Sequence, residues 1–157
     1  MTTYSLLRCA LFSLAFCFQS VAMEAAHTKL DDAFFERCKK LGQSPNNFML
    51  KGGITALMLA CKDQQVPFVK KLIQGVNFKI NAQDHEENTA LHYATISGNK
   101  EIVAMLLSVP EIEAGLKNKE GKSAYEAAYY QAAKTFNDNE AQKLNEIMEM
   151  LLPKSKL

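Results

Sequence analysis

Three histidines and a run of acids are the residues of this chain with most to offer chemically. Asp84, Glu86 and Glu87 surround His85, a density of carboxylates that suggests general acid and base work. Such work needs two groups whose surroundings push their pKa values apart. The segment reads as an exposed polar turn, where water keeps carboxylates alike, so no catalysis is expected from it. His27 stands near the start of the chain and His92 within an apolar run, and no His-x-x-x-His or Cys-x-x-Cys spacing joins them to a second ligand. Neither a Gly-x-Ser-x-Gly elbow nor a phosphate-cradling glycine loop is present, and Gly52-Gly53 is an isolated turn pair. The expectation is a chain with no catalytic residue, no cofactor and no metal.

The elements that hold these residues repeat at a step of 34: Thr55, Leu57 and Ala60 return as Thr89, Leu91 and Ala94, then as Ser123, Tyr125 and Ala128. Phe68, Val69, Leu72 and Ile73 come back as Ile102, Val103, Leu106 and Leu107. A period of that length marks stacked helical units, each too small to bury its own apolar face. Thr55, Thr89 and Ser123 are read as N-caps, their hydroxyls accepting from the otherwise unpaired N–H groups of a first helical turn. Pairs three residues apart, such as 57 with 60 and 91 with 94, fall on one buried helical stripe.

From Asn81 to Ala94 the chain reads N-A-Q-D-H-E-E-N-T-A-L-H-Y-A, and Gly98, Asn99, Glu101, Ile102, Val103, Leu106 and Leu107 follow. This resembles the ankyrin repeat, whose signature is a turn, then T-P-L-H-x-A, then G-N-x-E-I-V-x-x-L-L. Ala56, Ala90 and Ala124 stand where the family carries proline. The resemblance implies an all-α solenoid of helix-turn-helix pairs with short β-hairpin fingers, and a structural place for His92, bonded to the threonine hydroxyl and a neighbouring turn. Gly98 ends a helix in the left-handed region at no steric cost, whereas its counterpart Gln64 would be strained there, so a different turn is expected in the first repeat.

Residues 1–22 read as a secretory signal: Arg8, the apolar run Cys9 to Phe18, and Ser20-Val21-Ala22 at a cleavage point. The expectation is export, periplasmic or secreted, with no stable membrane insertion unless this segment stays uncleaved as an anchor. Loss of Arg8 leaves 17 basic and 17 acidic side chains, a balance that gives no electrostatic footprint for nucleic acid. Cys38 and Cys61 remain, either as a disulfide or as two small buried hydrophobes.

The remaining organisation is read as an N-terminal capping helix region over 23–50, repeats at 51–84 and 85–118, and an extended third repeat with a C-terminal cap at 119–153. Leu30, Phe34, Cys38 and Leu41 stripe the first cap; Leu144, Ile147, Met148, Leu151 and Leu152 stripe the last, behind a start at Asn137 with Glu140. Ile147 stands 45 residues after Ile102, so 11 extra residues lie between the helices of the third repeat. With Ala and Tyr but no Gly or Pro from Ala127 to Asn137, they lengthen its first helix by one or two turns.

Carried over residue by residue, the resemblance implies that a partner is met on a concave face. Its positions are Lys51, Gly52, Ile54, Lys62 and Asp63; His85, Glu86, Asn88, Ile96 and Ser97; and Lys119, Glu120, Lys122, Tyr130 and Gln131. Ile54, Ile96 and Tyr130 are read as an apolar stripe that anchors the contact. The function this implies is monomeric, non-catalytic binding of a protein partner. An accessory or inhibitor of an exported enzyme, an effector competing for host proteins, and a small enzyme built on Tyr129 to Asn137 are the alternatives.

Overall fold

The computed structural model describes residues 32–40, 45, 49–75, 79–134 and 137–155. The segment read as a signal, residues 1–22, lies outside them, as do Leu30 and Leu41. Among the described residues seven α-helices follow one another: α1 Asp32–Lys40, α2 Ala56–Lys62, α3 Val66–Ile73, α4 Ala90–Ile96, α5 Lys100–Leu107, α6 Ala124–Lys134 and α7 Asp138–Ser155. Helices α2, α4 and α6 pack side by side as an inner row, and α3, α5 and α7 form an outer row behind them. The α1 helix adds to the outer row, with Phe35 stacked on Phe68 at 5.2 Å between ring centroids and Asp32 bonded to Lys71 at 2.7 Å.

The step of 34 is visible in what each helix buries. Leu57 and Ala60 of α2, Leu91 and Ala94 of α4, and Ala128 of α6 are buried on the inner row; Val69, Leu72, Ile102, Val103 and Leu106 are buried on the outer. Side chains from two successive repeats meet in one layer, which is why no single hairpin has a core of its own. Phe34 and Cys38 of α1 are equally buried, and each stands 34 residues before a member of α3, Phe68 and Leu72. In α7, Leu144, Ile147 and Leu151 are buried and Leu152 is exposed. The α6 helix is 11 residues long against 7 for α2 and α4, and α7 starts at Asp138, seven residues ahead of the register that pairs Ile147 with Ile102, so the 11 extra residues add about one turn to the end of α6 and about two to the start of α7.

Between the hairpins, three polar fingers repeat one hydrogen-bond pattern. Leu50 N–H donates to the Ile54 carbonyl, Asp84 to Asn88, and Asn118 to Lys122. At each tip the next bond closes back: Gly53 to Leu50, Glu87 to Asp84, Gly121 to Asn118. Fingers join through His85 N–H to the Gly52 carbonyl at 2.8 Å and Lys119 N–H to Glu86 at 3.0 Å. The β-pairing within them is confined to the isolated bridges Met49 with Thr55 and Lys117 with Ser123.

The tip bond requires a left-handed residue, supplied at φ 77 by Gly53 and φ 72 by Gly121 but at φ 61 by Glu87. Gly53 is also confined, since a Cβ there would lie 3.0 Å from the His85 ring. A side chain in this region costs about 1–2 kcal/mol, partly offset by the freedom glycine loses on folding. Glu87→Gly is therefore expected to raise stability by about 0.5–1 kcal/mol, read as a higher urea midpoint at unchanged slope.

Candidate functional site

The inner row is positioned by three caps that solve one problem with different chemistry. Thr55, Thr89 and Ser123 each accept from the backbone N–H three residues on. The side chain at that third position then reaches back to the cap's own N–H: Met58 through sulfur, His92 through Nδ1 at 3.2 Å, Glu126 through a carboxylate oxygen at 2.7 Å. The Ser123 N–H and hydroxyl hold the Glu126 carboxyl below its ordinary range.

His92 does more than the other two. The Lys122 carbonyl can only accept, so the Nε2 atom 3.0 Å from it carries the proton and donates across to the next finger. Nδ1 is then the acceptor for both Thr89 N–H and Thr89 hydroxyl. The ring is 1% exposed, and burial lowers its pKa against the opposing pull of the Lys122 carbonyl and the Asp84 charge. This is the structural place implied by the repeat signature: every polar atom of the ring is engaged, and a substrate would find no free nitrogen.

Asp84 overturns one expectation. It is not on an exposed tip but 7% exposed, with one carboxylate oxygen accepting from the N–H groups of Glu86 and Asn88 and the other from the Tyr93 hydroxyl at 2.5 Å. Burial, and then the Asp84 carboxylate it donates to, push the Tyr93 phenol up to about 12. Asn118 makes the same turn 34 residues later, accepting from Glu120 and Lys122 N–H groups. Asp84 therefore shapes the finger, while Glu86 and Glu87 remain exposed.

Cys61 and Cys38 are both buried, and burial pushes the Cys61 thiol up to about 12, far from the thiolate a nucleophile or metal ligand requires. Among the described residues no three His, Cys, Asp or Glu side chains gather as a metal site. No helix among them is long and apolar enough to cross a membrane.

Of the positions carried over as contacts, Lys51, Lys62, Asp63, His85, Glu86, Lys119, Glu120 and Gln131 are exposed, and Gly52 is half-buried. Asn88 and Ser97 are half-buried and tie repeats together: Asn88 accepts from the Asn118 amide, and the Ser97 hydroxyl bonds the Cys61 and Ala94 carbonyls. Ile54 is a correction. It packs half-buried against the core at the base of the first finger, and its counterparts are Asn88 and Lys122, not Ile96. The apolar stripe is thus shorter: Ile96 at 46% and Tyr130 at 49% exposure, with Lys62 as the third member of the register.

Tyr129, 56% exposed, lies edge-to-face with Tyr130 at 5.8 Å, and half-buried Tyr93 stands one turn back from Ile96. Neither is among the positions carried over from the resemblance; an aromatic at the register of Leu59 and Ala127 is the sequence signal for Tyr93. Lys122 lies over the Tyr130 ring, 4.5 Å from its centroid, and bonds Glu120 at 2.6 Å.

A family model for ankyrin repeats in three copies matches residues 22–120, well over half of the chain. The match takes in the segment read as a cap, where Ala22, Met23 and Ala26 stand 34 residues before Ala56, Leu57 and Ala60. With paired helices in two rows, fingers in register and the His92 capping arrangement, the chain belongs to the ankyrin repeat family.

Proposed function

We propose that this chain is an exported, monomeric, non-catalytic module that binds another protein through the inner-helix side of its array. Ankyrin repeats are generally protein–protein interaction modules. The observation that carries the reading is that Ile96 and Tyr130 stay half-exposed at one register on neighbouring helices, while the polar side chains at their bases are engaged in the frame. Large apolar side chains set on a rigid surface are what protein contacts use as anchors. Export rests on Arg8, the Cys9–Phe18 run and Ser20-Val21-Ala22, and on nothing in the fold.

The test is capture of partners by the native chain from its own compartment, followed by affinity measurement with Ile96→Ala and Tyr130→Ala. Each substitution should weaken capture about tenfold while leaving the unfolding midpoint in place, because neither side chain is part of the core. Unchanged affinity in both rejects this surface. The native chain weighed intact should lack residues 1–22, and a full-length mass rejects cleavage and export by this route.

A further inference from the structure

Resting on that reading, we infer that the partner presents an aliphatic or aromatic anchor flanked by carboxylates. Helices α2, α4 and α6 carry a single acid between them, Glu126, and its carboxylate is turned back onto Ser123. Around the Ile96 and Tyr130 patch stand Lys62, in register with both, and Lys134, one turn beyond Tyr130 on the same side of α6. Both lysines are exposed, and neither takes part in the four ion pairs of the described residues, which engage Lys71, Lys100, Lys119 and Lys122. Of the acids on the nearby fingers, Glu120 is offset by Lys122 and, from farther off, by the Lys134 charge, and Glu86 by Lys119, while exposed Glu87 takes part in none of these ion pairs. Asp63, at the end of α2, is the opposing charge at this edge.

The patch is therefore apolar at its centre and cationic at its two ends. An apolar anchor would cover Ile96 and the Tyr129–Tyr130 pair, while carboxylates on either side meet Lys62 and Lys134 as they lose water. Basic flanks would be repelled at both ends, so charge selects the partner while the apolar pair holds it.

The experiment uses the purified chain and two pools of short fluorescein-labelled peptides, alike in randomised Leu, Phe, Tyr and Trp centres but flanked by Asp and Glu in one pool and by Lys and Arg in the other. Polarisation titration should show the acidic pool binding about tenfold tighter at low salt, with the difference shrinking as salt rises. The double variant Lys62→Glu with Lys134→Glu should abolish or reverse the preference, and Ile96→Asp with Tyr130→Asp should lose both pools. Equal binding, tighter binding of the basic pool, or no binding of either overturns the inference. If the Asp variant loses all binding but the Glu variant keeps its preference, the surface stands and the charge assignment falls. If the Asp variant binds like the parent, the surface itself is wrong.

Discussion

His92→Ala will destabilise the folded chain by about 3 kcal/mol, lowering its melting temperature by roughly 10 °C. The substitution removes the acceptor for Thr89 N–H and the donor to the Lys122 carbonyl, each worth about 1 kcal/mol and costing more when a buried partner is left unpaired. It also empties a site that is 1% exposed, where lost packing adds to the loss. Because the ring links one repeat to the next finger, the damage falls on coupling between units. A loss below about 1 kcal/mol would show that the ring is not the keystone of the middle repeat. The same ring sets a pH dependence. Burial holds its folded pKa below the ordinary 6.5, so the unfolded chain binds the proton more readily. Stability is therefore fully present above pH 6.5 and falls as pH drops from there through the folded value. His92→Ala should lose this part of the slope, which urea unfolding near neutrality and about two pH units lower will reveal.

The double substitution Gln64→Gly with Gln65→Asn will stabilise the chain by about 1.5–2 kcal/mol. Gln64 sits at φ 54 where Gly98 sits at φ 70, so the first repeat keeps the family's left-handed turn and bears its strain instead of adopting another. Glycine relieves that strain at the cost of an exposed bond from the Gln64 amide to the Ser97 carbonyl, which contributes little in water. Asn99 caps α5 by accepting from Ile102 N–H at 3.1 Å, whereas Gln65, one methylene longer, makes no side-chain cap on α3 and leaves its amide oxygen buried without a partner. Asparagine would restore the cap, worth about 1 kcal/mol. Calorimetry should show a melting temperature raised by about 5–8 °C, and a decrease would mean that Pro67 in the first turn of α3 dictates a cap of its own.

The frame was legible because burial and capping act locally and recur: Thr55, Thr89 and Ser123 start helices where their hydroxyls say they should, and the Ala-rich stretch after Ala127 does extend α6. The backward continuation of the step was harder to see. Phe34 with Phe68 and Cys38 with Leu72 keep the 34-residue register, but no threonine signature precedes them to draw the eye. Asp84 illustrates a different limit. Its acid character suggests the surface, yet two backbone N–H groups and the Tyr93 hydroxyl satisfy it inside, and those donors converge only after the finger has folded. Ile54 misled for a related reason, since exposure at the base of a finger depends on what the neighbouring core packs against it. Tyr129 stands by sequence at the register of buried Cys61 and Thr95, and its exposure and its edge-to-face contact with Tyr130 become visible only in the folded chain.

Hydrogen exchange of the chain alone and with its captured partner tests the binding account most directly. Protection should appear at the ends of α2, α4 and α6, around Lys62, Ile96 and Tyr130, with α3, α5 and α7 unchanged. Protection confined to the outer row, with those three positions exchanging as in the unbound chain, would contradict it.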